Sequence, residues 1–286
     1  MDWRIRTLLK IADWVEPGAK ANFIAGTVLP PLKLIGPRKA MARKNIELVF
    51  PGISERERER LVSESYDSMV WTGIELLALH KDPGQINKWV EAVEGRKYLD
   101  KALEKGKGVI FISAHISNWE VNGAWVGSMG NAATVARMAD NAVLNDFIAE
   151  LRKADNLRII DKKEPMTHAL GVLKKNGLLG LITDQHAGGE GITVPFFGCD
   201  TGTVKGPAVM AWLTGAEILP IQSIRLAPFR FKVIIDEPIK WTKGPDRDAA
   251  IRDITISCNR ALERIVRRAP GQWLWQHRRF REILGD

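Results

Sequence analysis

A chain of 286 residues, 45% hydrophobic and 27% charged, has the length and composition of a globular protein with one large domain or one domain plus an appendage. Its formal net charge of +8 points to an anionic partner: nucleic acid, an acidic membrane surface or a phosphorylated substrate. Cys199 and Cys258 lie far apart with no CxxC, so they read as two reduced thiols rather than a disulfide framework. Ten Trp against two Tyr favours surfaces where one edge of a ring is apolar and the other wet.

The first element is an amphipathic helix over residues 2–15, with Trp3, Leu8, Ile11, Ala12 and Val15 at helical spacing and charges between them. Such a helix can lie in a membrane surface or pack on the protein's own core. The surrounding charge favours the membrane. Residues 1–50 hold nine cations (Arg4, Arg6, Lys10, Lys20, Lys33, Arg38, Lys39, Arg43, Lys44) against four acids (Asp2, Asp13, Glu16, Glu47). The N-terminus has no secretory-signal pattern, because charges interrupt it and no small-residue cleavage site follows. The apolar stretch "NFIAGTVLPPL" is broken by Pro30 and Pro31 and falls short of the ~20 apolar residues of a membrane span.

A long helix follows in "PGISERERERLVSESYDSMVWTGIELLALH", with Ser54 as N-cap and Glu57 as its capping-box partner. The "ERERER" run reads as a solvated face, and His80 suits the helix C-terminus. From about residue 95 the pattern alternates. Strands are predicted at "GVIFIS", "ATVAR", "LRII", "LLGLIT", "ILPIQSI" and "FKVIID", with helices near 96–105, 119–129, 142–155, 165–176 and 204–214. Short apolar runs split by helical segments predict an α/β fold: a mixed, mostly parallel sheet flanked by helices. "APFRFKVIIDEP" is expected to pair antiparallel with the strand before it. The chain closes with the basic helix "IRDITISCNRALERIVRRAP" and then "GQWLWQHRRFRE". The organisation is a helical, membrane-associating region over 1–94 and an α/β core over 95–286, in one compact unit.

Ligands of such sheets bind at the carboxyl ends of the strands. Two polar groups fall there: His115 and Glu120 after "GVIFIS", and Asp184 and Gln185 after "LLGLIT". Five positions apart on a continuous helix, His115 and Glu120 would be rotated about 140° from each other. If the helix starts near Asn118, a natural N-cap, Glu120 can reach back to one ring nitrogen and leave the other to take a proton from a hydroxyl. The alternative is a helix-terminus acid beside an ordinary loop histidine. No GxSxG elbow, Walker loop, GxGxxG or HExxH is present, and the remaining histidines are scattered, so neither a dinucleotide nor a metal site is indicated. A base without a protein nucleophile implies attack by water or by a substrate hydroxyl. Acyl transfer onto a lipid hydroxyl fits the basic, Trp-rich composition. An acyl-cysteine on Cys199 is disfavoured, since no histidine is placed to activate it.

"SAHISNWE" is similar to the H-x4-[DE] signature of glycerolipid-type acyltransferases, and its "NWE" form resembles the late acyltransferases of lipid A biosynthesis. "RKAMARKNIELVFPGISERERERL", "ARMADNAVLNDFIAELR", "DQHAGGEGITVPFFGCDTGTVKGPAVMAWLTGAEILP" and "PGQWLWQHRRFR" extend the resemblance, in order, over nearly the whole chain. It implies a glycerolipid-acyltransferase-like fold and transfer of a fatty acyl group from an acyl carrier protein thioester to the 3-hydroxyl of a chain on a lipid A precursor. No cofactor is implied; acyl-carrier protein or acyl-CoA is the co-substrate. His115 matches the family's base, Glu120 its carboxylate partner, Arg152 an arginine needed for activity and Asp184 the acid of "DQ". Arg152 would stabilise the oxyanion or bind acceptor phosphates, and Asp184 would anchor Arg152 or the first loop. Arg137, Asn118 and Gln185 fall to the substrate side. "RKAMARK" and "HRRFR" could meet lipid phosphates or the carrier protein, and "VPFFG" with Trp119 could line an acyl groove. The expected place is the cytoplasmic face of a bacterial inner membrane, attached peripherally or by one N-terminal anchor. The family's members carry a clearer N-terminal membrane helix than this chain does. The rivals are an acyl-CoA-dependent enzyme with another acceptor, such as a phosphatidylinositol mannoside or an aminolipid, a lipid hydrolase, and a non-catalytic membrane- or nucleic-acid-binding protein.

Overall fold

The computed structural model describes residues 3–136, 143, 146, 147 and 157–285. Arg137, Arg152 and most of the helix expected near 142–155 lie outside the described residues. Four helices lead the chain: α1 (Trp3–Trp14), α2 (Ala19–Ile35), α3 (Lys39–Val49) and α4 (Glu55–Lys81). The short α5 (Ile86–Trp89) and the strand β1 (Val90–Glu94) follow. Then come α6 (Arg96–Glu104), β2 (Val109–Ser113), α7 (Trp119–Gly127), β3 (Ala132–Ala136), β4 (Leu157–Asp161), α8 (Met166–Lys174) and β5 (Leu178–Ile182). A hairpin of β6 (Ile192–Phe196) and β7 (Cys199–Thr203) precedes α9 (Gly206–Thr214), β8 (Glu217–Ala227), β9 (Arg230–Ile235), α10 (Arg247–Arg268) and α11 (Arg281–Leu284).

Seven strands form one sheet in the order β1-β9-β8-β2-β5-β3-β4. The run β8-β2-β5-β3-β4 is parallel, β9 is antiparallel to β8, and β1 is parallel to β9. Every residue of β2 is buried, which is why its sequence is unbroken "VIFIS" rather than alternating. Ile110 and Ile112 turn to one face, where α8, α9, α10 and the first half of α4 cover them; Val109 and Phe111 turn to the other, under α6, α7 and the second half of α4. Gly108 opens β2 at φ +70, and a Cβ there would meet the Leu173 backbone at 2.8 Å, so no other residue fits that entry.

The six expected strands are present within a few residues, including the antiparallel β8–β9 pair. Three strands were not expected. β1 draws its residues from just before position 95, and the β6–β7 hairpin occupies the stretch that offered no strand pattern. Ser54 caps α4 as expected by accepting from Glu57 N–H, but the Glu57 carboxylate turns to Arg60 rather than back to the cap.

The N-terminal helices depart from expectation in two ways. α2 continues through Pro30 and Pro31 instead of breaking, though no helix among the described residues is long and apolar enough to cross a membrane. The buried face of α1 packs on the protein itself: Ile5, Leu9 and Ala12 meet Leu76, Leu77, Val143 and Phe147. Exposed apolar side chains are most pronounced on α2, where Phe23, Leu34 and Ile35 are 65%, 88% and 77% exposed, and Trp14 at the end of α1 is also exposed.

Candidate active site

β2 and β5 are neighbours in register, Ser113 opposite Ile182, and Thr183 N–H donates to Ser113 O just past the strand ends. Parallel pairing therefore delivers Asp184 to the residue that follows Ala114. Asp184 Oδ1 lies 2.8 Å from His115 Nδ1, and its Oδ2 accepts from His115 N–H at 2.9 Å and from Trp273 Nε1–H at 2.7 Å. An ionised carboxylate can only accept, so Nδ1 carries the proton and Nε2 of the neutral ring is left as the basic nitrogen. The Asp184 side chain is 2% exposed and the imidazole 22%. Burial works to raise the Asp184 pKa. The positive charge His115 carries when its ring is protonated, the hydrogen bonds from its ring and backbone N–H, and the indole N–H of Trp273 outweigh it and hold the carboxyl below its ordinary range.

The carboxylate seated on His115 is thus Asp184 and not Glu120, which corrects the expected pairing. The reason is where α7 begins. Asn118 caps it, its Oδ1 accepting from Glu120 N–H at 3.0 Å and Val121 N–H at 3.2 Å. That puts Glu120 in the first helical turn, where its Oε1 accepts from Trp119 Nε1–H at 2.9 Å. The Trp119 ring stands edge-on to the imidazole with centroids 5.1 Å apart. Glu120 therefore bears on His115 through an indole. Asn118, expected on the substrate side, is 1% exposed and its amide faces inward, donating to Glu75. Gln185 is half-buried in the loop after Asp184.

Next to this pair a narrow crevice of about 50 Å³ runs between α7 and the sheet. Phe111, Trp119, Gly123, Val126, Leu157 and Leu181 supply apolar walls, and Ser113 and Asn122 add polar groups. Trp119, expected to line an acyl groove, is one of the walls of this crevice. The phenylalanines of "VPFFG" do not line this crevice: Phe196 is fully buried against Trp273 and Phe280, and Phe197 packs on Trp273 beneath Arg267.

The basic clusters are partly internal. Lys39 pairs with Glu59, and Arg43 with Glu55 and Glu59. Arg279 of "HRRFR" is 1% exposed, donates to Gly202 O and Thr203 Oγ1, and has its pKa pushed down to about 10 by burial. Burial and Asp200 push the Cys199 thiol pKa up, away from the reactive thiolate. Among the described residues no group of three or more His, Cys, Asp or Glu side chains is gathered as a metal site requires.

Sequence reasoning gave no role to Trp273, the third donor to Asp184, or to Glu75. A signal existed for Glu75: it is the lone acid in the apolar run "GIELLALH" and follows Ser68 and Thr72 at helical spacing.

Comparison with known proteins places the chain in a family. Residues 20–282 match the model of the bacterial lipid A biosynthesis acyltransferase family. The lipid A biosynthesis palmitoleoyltransferase of Escherichia coli K12 is 28% identical over 248 residues, covering 85% of this chain and 79% of its own length. The lauroyltransferase of the same organism is 24% identical over 253 residues, covering 87% and 81%. The phosphatidylinositol mannoside acyltransferase of Mycobacterium tuberculosis CDC 1551 / Oshkosh is 30% identical over 134 residues, covering 45% and 42%. The chain is an acyltransferase and belongs to the bacterial lipid A biosynthesis acyltransferase family.

Proposed function

We propose that this acyltransferase moves a fatty acyl group from an acyl carrier protein thioester to the 3-hydroxyl of an acyl chain on a lipid A precursor. The observation that carries the reading is the carboxylate of Asp184 on Nδ1 of a partly exposed imidazole, beside an apolar crevice. His115 Nε2 takes the proton of the acceptor hydroxyl as its oxygen attacks the thioester carbonyl. Asp184 holds the ring and stabilises the imidazolium, as the acid of a catalytic triad does. The tetrahedral oxyanion collapses, the C–S bond breaks, and the thiolate leaves with the proton from Nε2. The products are the new ester and the free thiol.

The acyl chain is assigned to the apolar crevice behind Trp119, which would have to widen to take a fatty chain. Glu120 contributes by fixing Trp119 against the imidazole and by placing negative charge at the α7 N-terminus. Arg152 is assigned either to the oxyanion or to acceptor phosphates, Arg137 to the acceptor side and Gln185 to the substrate side. No metal or organic cofactor has a part in this chemistry. The enzyme is assigned to the cytoplasmic face of the inner membrane, held by the exposed Phe23, Leu34 and Ile35 of α2 on an anionic lipid surface. A second reading, an acyl-CoA donor with a phosphatidylinositol mannoside acceptor, is favoured by the mycobacterial relative.

Acyl transfer in detergent micelles tests both readings. Lauroyl- to palmitoyl-carrier proteins and the matching CoA thioesters would be offered with a Kdo-bearing lipid A precursor or a phosphatidylinositol mannoside, and products read by mass. One added acyl chain on the lipid A precursor from a carrier protein donor, absent with His115→Ala, is expected. Transfer confined to CoA donors and the mannoside moves the assignment to the second reading. Turnover retained by His115→Ala removes the imidazole from the chemistry.

A further inference from the structure

The turn that carries His115 is held from behind by charge. Ser117 sits at φ +53, a conformation that L residues avoid, and its own hydroxyl is buried without a partner. Its side chain therefore does not explain its conformation; its backbone bonds do. Ser117 N–H donates to Gln272 O at 2.8 Å, and Ser117 O accepts from Thr72 Oγ1 at 2.7 Å and Ser68 Oγ at 3.4 Å. Asn118 O accepts from Ser223 Oγ at 2.7 Å, and Asn118 Nδ2 donates to Glu75 Oε2 at 2.8 Å.

Ser68, Thr72 and Glu75 form one stripe along α4, all buried, Glu75 at 0% exposure. Glu75 accepts from Arg225 Nε at 2.9 Å and Nη2 at 2.7 Å, and from Phe229 N–H at 3.1 Å. Arg225 also donates to Ser68 at 3.1 Å and Thr72 at 3.2 Å, and its backbone N–H and C=O both bond the Gln272 side chain. A buried ion pair is poor evidence for stability, because well-packed apolar residues fill the same space as well or better. This one spends its bonds on three things: two consecutive residues of the catalytic turn, the β8–β9 bend, and the segment that leads to Trp273.

We infer that Glu75, braced by Arg225, is a positioning residue for the acyl-transfer site. It fixes the Asn118 cap and the Ser117 backbone, so that His115 on one side and Trp119–Glu120 on the other keep their reacting geometry. Asn118 is the joint. One end of its amide caps α7 while the other reads the charge on α4. The inference rests on His115 being the base.

Its test is an exchange of partners. Asn118→Asp keeps a capping side chain, so α7 still forms, but sets a carboxylate against Glu75. We expect kcat to fall roughly 30–100-fold, with KM for the acyl donor changing less than about threefold. Glu75→Gln is expected to lower kcat about tenfold. The double variant Asn118→Asp/Glu75→Gln restores a donor facing an acceptor and one negative charge beside Arg225. It should recover at least about fivefold over Asn118→Asp.

Two milder variants guard against misfolding. Thr72→Val removes one bond to Ser117 O and should lower kcat about threefold. Ser65→Ala, on the same buried helix but bonded to Val62 O and Gln276, should leave kcat unchanged while costing similar thermal stability. Single-variant losses that simply multiply in the double variant overturn the inference. So does a kcat per folded enzyme that stays at wild type in Glu75→Gln and Thr72→Val while His115→Ala is inactive. Activity in His115→Ala would instead overturn the reading of the site itself.

Discussion

The two strand ends that frame the site are built differently. After β2 the chain is held through its backbone: His115 O, Ser117 N–H and O, and Asn118 O each meet a different partner, drawn from α4, β8 and the C-terminal segment. After β5 a single side chain, Asp184, makes the contact. The chain then leaves for the β6–β7 hairpin, which Arg279 and Glu282 tie down away from the imidazole. One arm spreads its hold over many bonds, the other concentrates it in one carboxylate. Damage to the first should therefore be graded, and damage to the second abrupt.

Asp184→Asn is the sharpest way to test that contrast and carries the largest expected effect. The amide is the same size, so the fold should survive. An amide can present its N–H to Nδ1, which stabilises the tautomer with the proton on Nε2, the wrong nitrogen for a base. The imidazolium also loses its counter-charge. A kcat loss of about 10³–10⁴-fold is expected, the scale of the equivalent change in a catalytic triad. A loss below about tenfold, in protein with native circular dichroism, would show that the contact is structural.

Trp273→Phe comes next. It removes one hydrogen bond from Asp184 Oδ2 and keeps an aromatic ring among Phe196, Phe197 and Trp275. Hydrogen bonds to charged groups contribute about 1.5–3 kcal/mol, so roughly ten- to hundredfold in kcat is expected if the bond serves the reacting geometry. The backbone N–H of His115 remains on the same oxygen, which is why the effect should stay below that of Asp184→Asn. Steady-state kinetics alongside the unfolding midpoint separates the outcomes. A lowered midpoint with unchanged kcat would make Trp273 a packing residue only.

The same contrast explains what the sequence revealed. The parallel sheet was legible because β2 and β5 are near-continuous apolar runs, and the strand-end rule then drew attention to His115 and Asp184. The pairing between them entered only as one alternative, Asp184 anchoring the first loop, because it depends on β2 and β5 being neighbours and periodicity contains no strand order. Glu120 looked the better partner for being close in sequence; the start of α7 at Trp119 took it elsewhere. β6 and β7 escaped because Gly191, Pro195, Gly198 and Gly202 give them the look of a loop, while their pairing comes from tertiary contacts with Arg279 and Asn259. The α4 clamp escaped for a similar reason. The one sequence signal, an acid alone in the apolar run at Glu75, does not say what Ser68, Thr72 and Glu75 face; the fold turns that stripe inward.

The smallest effect expected is on stability, and it lies on the C-terminal segment that both arms share. Burial lowers the pKa of His277 to about 4; Asp184 pulls the other way, and His115, Arg279 and Arg38 add to the lowering. The unfolded histidine titrates near 6.5. Between those values the unfolded chain holds the proton and the folded chain does not, so stability is fully present above about pH 6.5 and is lost as the pH falls towards 4. Because the ring is partly open to solvent, the loss should be about 1–2 kcal/mol, less than the shift alone would give. His277→Gln has no proton to gain, so the decline in its unfolding midpoint from pH 6.5 to 4.5 should be shallower than that of the wild type. Equal slopes would place the proton uptake on other groups.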